Sequence, residues 1–424
     1  MTYIELNREK SATTAAVQLF GDLKPINPDV VNLGQGREID DPDGELGELL
    51  TSPLTCSSGY NSQNGGSPEL REKAAAWVSR FLGLPATGHN TFVLQQLGRE
   101  SLGHSMNAAT RHDPEGKNRY TAIVPNTMWP MVSAKLADEK TTYTTYRMGR
   151  SGIDQDLEEI LGKGAGDRIF SMAYFNFPHN PTGLGMTQEH NTKIQAVLDA
   201  YNADAANKIQ RIDDLPYFAN CAQKNNGALL DMGYDGILDA DGVTPWSSAI
   251  SFSKALATAK PGLSILVCHN DLATYMTNRI NRSSGLAYVP EFFENLEKLF
   301  DERMDDQILT HFASLRAKYT KNRKALEMAL GDMVKDGDPG MTSLVEVPED
   351  IFGKSVTCSD GQARTINDLN DVVEFLGNEG VITVNNGGRF LRIAQAQHSD
   401  NFNRGVALLQ KGLDKILNGQ KASA

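Results

Sequence analysis

The chain has 424 residues, 40% of them hydrophobic and 22% charged, a globular composition that suits about two or three domains of ~150 residues. Single cores stop growing near ~250–300 residues, so one undivided core is excluded, as is wholesale disorder. Asp and Glu number 53 against 41 Lys and Arg, and the formal charge of −12 gives a long-range field that repels nucleic acid and anionic membranes.

Met1 to Lys10 mixes acids and bases and lacks the apolar core of a secretory leader. No apolar run reaches the ~18 residues of a membrane helix, so a cytoplasmic protein is expected. Ser67, Pro68 and Glu69 open a helix over residues 67–83 as cap, first-turn proline and early acid. Short runs rich in aliphatic, β-branched and aromatic residues then predict strands at 91–95, 120–124, 168–175, 209–213, 249–253 and 263–268. Helical patterns lie between several of them, for example at 187–201 and 270–281. Strand, crossover helix, strand is the grammar of an α/β fold with a mostly parallel central sheet and helices on both faces. Past Pro290 come a long amphipathic stretch (292–335), a run at 341–347, a helix around 366–376, a hairpin signalled by Asn386-Gly387, and a closing helix at 401–417. These read as a smaller α+β domain. The four cysteines, Cys56, Cys221, Cys268 and Cys358, show no metal-ligand spacing, so neither a structural metal nor a disulfide framework is expected.

Ligands of such sheets sit at the carboxyl ends of the strands, which directs attention to the residues just past each one. Asn176-Phe177-Pro178-His179-Asn180-Pro181-Thr182-Gly183 follows the strand at 168–175; its prolines and glycine force a turn and leave the Asn180 amide able to donate to a ligand. Asp213-Asp214-Leu215-Pro216-Tyr217 ends the next strand. A carboxylate buried there needs a partner, and a cationic ring nitrogen would suit, although a solvated pair or a helix cap would read the same. Lys254 closes Ser251-Phe252-Ser253-Lys254, where a desolvated amine can attack a carbonyl, though most lysines are merely solvated. Arg389-Phe390-Leu391-Arg392 offers a bidentate carboxylate clamp.

In this order HNPTG, DLPY, SFSK, PGL and RFLRIA resemble the pyridoxal phosphate (PLP)-dependent class I and II aminotransferases of fold type I, the aspartate and aromatic aminotransferase superfamily. The resemblance runs from VNLGQG (31–36) to Arg392. It implies that Lys254 bonds the cofactor covalently and moves the substrate α-proton, that Asp214 pairs with the pyridinium nitrogen, and that Tyr217 and Asn180 donate to the ring O3′. Trp129 would stack on the ring. Gly98, Arg99 and Glu100 would open the phosphate cradle at a helix N-terminus, with Ser251 and Ser253 as further donors. Tyr60 would reach the phosphate of a neighbouring subunit, which implies a homodimer with shared sites; Arg392 would clamp the substrate carboxylate, with Gly36 against the substrate. The domains implied are an N-terminal segment (1–45) packing with the small domain, a large PLP-binding domain (46–290) and a small C-terminal domain (291–424).

The expected activity is transfer of an amino group from an L-amino acid to a 2-oxo acid by a ping-pong cycle. The alternative is a lyase, oxidase or cyclase on the same fold, because fold does not fix reaction type. One departure from the family stands out: Ser264 occupies the place of its phosphate-binding arginine, with Arg99 and Lys260 the nearest cations in sequence. Arg37, Arg279 and Arg282 are available for a second substrate carboxylate, but no motif assigns them that role.

Overall fold

The computed structural model describes residues 12–25, 27–36, 40–51, 65–110, 119–256, 262–283, 290–359 and 361–421. Two compact units emerge, one of Met1–Ile39, Pro181–Gly183 and Leu315–Ala424, the other of Asp40–Asn180 and Leu184–Ser314. The division expected near 290 thus falls between Ser314 and Leu315, inside the helix Asp305–Leu330. That helix contains no glycine, proline or linker that could mark a boundary in the sequence.

Strand β1 (Val31–Asn32) belongs to the smaller unit, and the next seven build the sheet of the larger one: β2 (Thr91–Leu94), β3 (Tyr120–Pro125), β4 (Thr142–Tyr146), β5 (Ile169–Asn176), β6 (Gln210–Leu215), β7 (Trp246–Ser251) and β8 (Ser264–Cys268). Their order is β2-β8-β7-β6-β5-β3-β4. Strands β3 to β7 pair in parallel, while β8 runs antiparallel to both β7 and β2. Both faces are covered. Met172 and Tyr174 of β5 pack with Leu102 and Met106 on one side; Ala173 and Phe175 pack with Leu157, Ile194 and Leu198 on the other. Burial on two faces explains why the inner strands read as continuous apolar runs. Edge strand β4 (TYTTY) is largely exposed, and without an apolar run it escapes a sequence reading.

Local signals set the helix ends. Ser67 Oγ accepts from the Leu70 N–H at 3.1 Å, and Gly83 closes the helix Pro68–Leu82 with φ 71°. A Cβ at 83 would lie 2.2 Å from Asp235 Oδ1, so glycine is needed there for space as well as for conformation. The strand expected at 249–253 is displaced: β7 ends at Ser251, and the chain turns through Phe252–Leu256, where the Leu256 N–H meets the Phe252 carbonyl at 2.9 Å.

The smaller unit adds β9 (Thr342–Glu346), β10 (Lys354–Thr357), β11 (Ala363–Ile366), β12 (Val381–Ile382), β13 (Val384–Asn385), β14 (Phe390–Ala394) and β15 (Gln420–Lys421). They form the sheets β13-β14-β9 and β11-β10-β15 and the pair β1-β12. The hairpin at Asn386-Gly387 forms, with Val384 opposite Arg392. The helix expected from 366 begins instead at Leu369, because Ile366 pairs in β11 and Asp368 supplies a capping box with Asp371. The amphipathic stretch 292–335 resolves into the helices Pro290–Leu299 and Asp305–Leu330, joined by a short 3₁₀ turn. Among the described residues no helix is long and apolar enough to cross a membrane, and no cluster of three His, Cys, Asp or Glu could hold a metal ion.

Candidate active site

The parallel strands end on one edge of the sheet, and the antiparallel β8 begins there. Register places Asn176 beside Asp214, Leu215 beside Ile250 and Ser251 beside Ser264. Three of the four segments singled out in the sequence, those that follow β5, β6 and β7, therefore begin at one edge of the larger unit.

Alternation separates the two aspartates. Asp213 faces the helix Gln188–Asp204, where Arg211 grips its carboxylate through Nε and Nη2 at 3.0 Å and Tyr234 Oη donates at 3.0 Å. Gln195 of that helix accepts from Nη1 and Asn191 from the second hydrogen of Nη2, so this fully buried pair is saturated by its own neighbours. Asp214 points to the opposite face and is 7% exposed. It accepts one side-chain hydrogen bond among the described residues, from Tyr174 Oη to Oδ2 at 2.9 Å. Burial pushes its carboxyl up to about 7, and the Tyr174 donor pulls the other way. A buried carboxylate with an oxygen to spare and, among the described residues, no cation acting on it suits a protonated ring nitrogen, so a pyridinium cofactor fits this position.

Asn176 locks the adjoining turn: its Nδ2 donates to the Asp214 carbonyl at 2.8 Å and its Oδ1 accepts from the Asn180 N–H at 2.8 Å. Asn180 is half-buried at the rim. His179, buried and held neutral with a value lowered to about 4, donates from Nε2 to the Thr127 carbonyl at 2.8 Å. This ties the turn to the segment carrying Trp129, which is half-buried, starts the helix Pro130–Asp138 and packs beside the core that contains Tyr174.

Tyr217 and Lys254 are fixed by their neighbours in sequence. Phe218 and Phe252 are fully buried, their rings 5.4 Å apart and tilted steeply to each other, and both pack on Trp77, at 6.0 and 5.2 Å. One aromatic cluster thus anchors the segments bearing the tyrosine and the lysine. His311 Nε2 donates to the Ala255 carbonyl at 3.0 Å, pinning the lysine turn from its far side. Neither the cluster nor His311 is announced by a motif.

Gly98 begins the helix Gly98–Ala109 close against β7: a Cβ there would lie 2.5 Å from Ser251 Cβ. This is a cradle that only glycine leaves open. Ser251 Oγ and Ser253 Oγ are 3.1 Å apart beside it. Of the two cations nearest Ser264 in sequence, one is described. Arg99 is half-exposed and pairs with Glu100 at 2.9 Å, while Lys260, like Arg37 and Tyr60, lies outside the described residues. Ser264 is fully buried and shares a 2.7 Å hydrogen bond with Ser101 of the cradle helix. Among the described residues this cradle is lined by the Ser251 and Ser253 hydroxyls, and Arg99 beside it is already paired.

Arg392 and Gly36 belong to the other unit. Arg392, in β14 and buried, donates from Nη2 to Thr13 Oγ1 at 2.9 Å and to the Gly34 carbonyl at 3.1 Å, which ties the segment containing Gly36 to it.

No family model matches the chain. Over 202 residues it is 22% identical to LL-diaminopimelate aminotransferase 2 of Nostoc sp., a match covering 47% of each protein; the chain spans about half the length of the curated relatives it matches. Among solved structures it aligns with aspartate aminotransferase from Thermus thermophilus with maleate at a TM-score of 0.74 and 17% identity, over 95% of this chain and 97% of that one. An archaeal alanine:glyoxylate aminotransferase gives 0.72 and 18%, over 95% of each. The chain has the aminotransferase fold along nearly its whole length.

Proposed function

We propose that this protein is a PLP-dependent aminotransferase that moves an amino group from an L-amino acid to a 2-oxo acid by a ping-pong cycle, working in the cytoplasm as a homodimer. The observation that carries the reading is Asp214, a buried strand-end carboxylate raised to about 7 with one oxygen left for a cation. PLP, when bound, supplies an electron sink for negative charge developing at the substrate α-carbon. Asp214 holds a proton at the ring nitrogen. The Lys254 amine takes the α-proton and returns it, Tyr217 and Asn180 donate to the ring oxygen, and Trp129 covers the ring face. The Gly98 and Arg99 amides at the helix start bind phosphate together with Ser251 and Ser253, and Arg392 orients the substrate carboxylate so that the Cα–H bond is the one presented for cleavage.

The test is a half-reaction. PLP-loaded protein incubated with single amino acids and no acceptor should release 2-oxo acid and stop at about one equivalent per site, resuming when a second 2-oxo acid is added. Continuous product release without an acceptor would favour a lyase. Absence of turnover after Lys254→Ala, with the fold intact, is expected; retained turnover would remove Lys254 from its role. Sedimentation of a fully active monomer would refute the homodimer.

A further inference from the structure

A second buried group at the ring end plays no part in the roles assigned above. Tyr174 sits in the middle of the site-facing side of β5, 1% exposed, and its hydroxyl donates to Asp214 Oδ2 at 2.9 Å. Its ring packs among Met172, Ile212 and Ala249, so the hydroxyl is directed by a rigid core. The bond crosses from β5 to β6, strands whose register is fixed by five consecutive pairs. The oxygen chosen matters: with Oδ2 held from the β5 side, Oδ1 carries no hydrogen bond from a described residue.

We infer that Tyr174 is a positioning residue of the active site, which orients the Asp214 carboxylate and favours its charged form so that Oδ1 can meet the cofactor's ring nitrogen. The inference rests on the PLP reading for its purpose, but not for its geometry. Tyr174 is the one described side chain that opposes the desolvation of Asp214; no described arginine, lysine or histidine contributes. Burial first, then Asp214 and the neighbouring phenols of Tyr146 and Tyr217, raise Tyr174 itself, so it remains a donor throughout the working pH range. Tyr146 Oη bonds the Tyr174 main-chain carbonyl at 3.1 Å. It is an equally buried phenol on the opposite face, without a bond to Asp214, and serves as the control.

The experiment has two arms. In the cofactor-free protein the Asp214 carboxyl is titrated by NMR with ¹³C-labelled aspartate. Tyr174→Phe should move its midpoint to higher pH, whereas Tyr146→Phe should leave it in place. In the second arm PLP dissociation constants are measured at pH 7. Tyr174→Phe should weaken binding roughly tenfold, the effect of losing a hydrogen bond to a charged group, and should change it less than about twofold in an Asp214→Asn background. Should Tyr174→Phe fail to fold, 3,5-difluorotyrosine at 174 keeps the ring and hydroxyl but is a stronger donor, and should move the Asp214 midpoint to lower pH. An unmoved midpoint, or equal shifts with Tyr146→Phe, would overturn the assignment. A wild-type protein that binds no PLP would refute the proposed function, yet leave the first arm to decide whether Tyr174 sets Asp214.

Discussion

Asp214→Asn should stabilise the cofactor-free protein at alkaline pH while weakening PLP binding. Burial raises the carboxyl from an ordinary 3.8 to about 7 in the folded chain; unfolding returns it to water and to the ordinary value. Between those two pH values the folded state holds a proton that the unfolded state has released, so stability falls as pH rises through that window. Below it both states are protonated and the penalty vanishes. Each pH unit is worth ~1.4 kcal/mol, so by pH 8 the charged carboxylate destabilises the fold by up to about 4 kcal/mol. Asparagine has no charge to desolvate and can still accept from Tyr174. Urea unfolding of cofactor-free wild type and variant at pH 8 and pH 5 measures the difference. The variant should be the more stable at pH 8, and its advantage should shrink by about 2–3 kcal/mol at pH 5. A variant less stable than wild type at pH 8, or a difference independent of pH, would refute the reasoning.

Gly98→Ala should destabilise the protein by about 1–3 kcal/mol through overpacking against Ser251, because the added Cβ would sit 2.5 Å from Ser251 Cβ; Ser251→Gly in the same chain should recover most of the loss, and thermal unfolding showing equal damage in both backgrounds would argue against a steric cause. Arg211→Met should lose about 3–5 kcal/mol in urea, since it leaves Asp213 buried without its cation, and Arg211→Met with Asp213→Leu should regain stability; a single-variant loss under ~1 kcal/mol would mean that the pair is not held as described. Glu100→Gln should release Arg99 from its ion pair and tighten PLP binding about two- to fivefold, in keeping with the small worth of an exposed pair; an unchanged dissociation constant would show that Arg99 does not reach the phosphate.

What the sequence displays and what it hides follow from the range of the interactions. The inner strands are legible because two covered faces demand unbroken apolar runs, and the turn after β5 because its prolines and glycine leave the chain few conformations. Asp214 and Lys254 stand out by position in an ordered set of motifs. Tyr174 does not: in SMAYFN it reads as one more core aromatic, and its partner is 40 positions away on a neighbouring strand. His311 is 56 positions from the carbonyl it holds, and the Trp77, Phe218 and Phe252 cluster draws on three separate segments. These residues support the site by pairing across the fold. Register and helix placement decide such pairs, and neither is visible in a local window. The boundary inside Asp305–Leu330 is hidden for a related reason, since a continuous helix looks the same whichever unit its residues join.

Ser264 links these two kinds of information. The motif order marks the missing arginine, and the structure shows why a simple reversal would not restore it. The side chain at 264 enters a fully buried position, paired in register with both Ser251 and Leu94 and bonded to Ser101 at 2.7 Å. A guanidinium there would displace Ser101 and bring a charge into a space now filled by two small hydroxyls, so the serines at 101 and 264 form a matched pair. With Arg99 engaged by Glu100, the positive potential at the cradle among the described residues includes that of the helix N-terminus, equivalent to roughly half an elementary charge. Under the proposed reading, cofactor retention therefore leans on the other end of the site, on the Asp214 ion pair and the Lys254 bond. This is also the end where the fold keeps a destabilising buried carboxylate in the cofactor-free state. A carboxylate that weakens the empty protein and is relieved by a bound cation couples folding to loading, so the gain in stability on adding PLP should be larger at pH 8 than at pH 5.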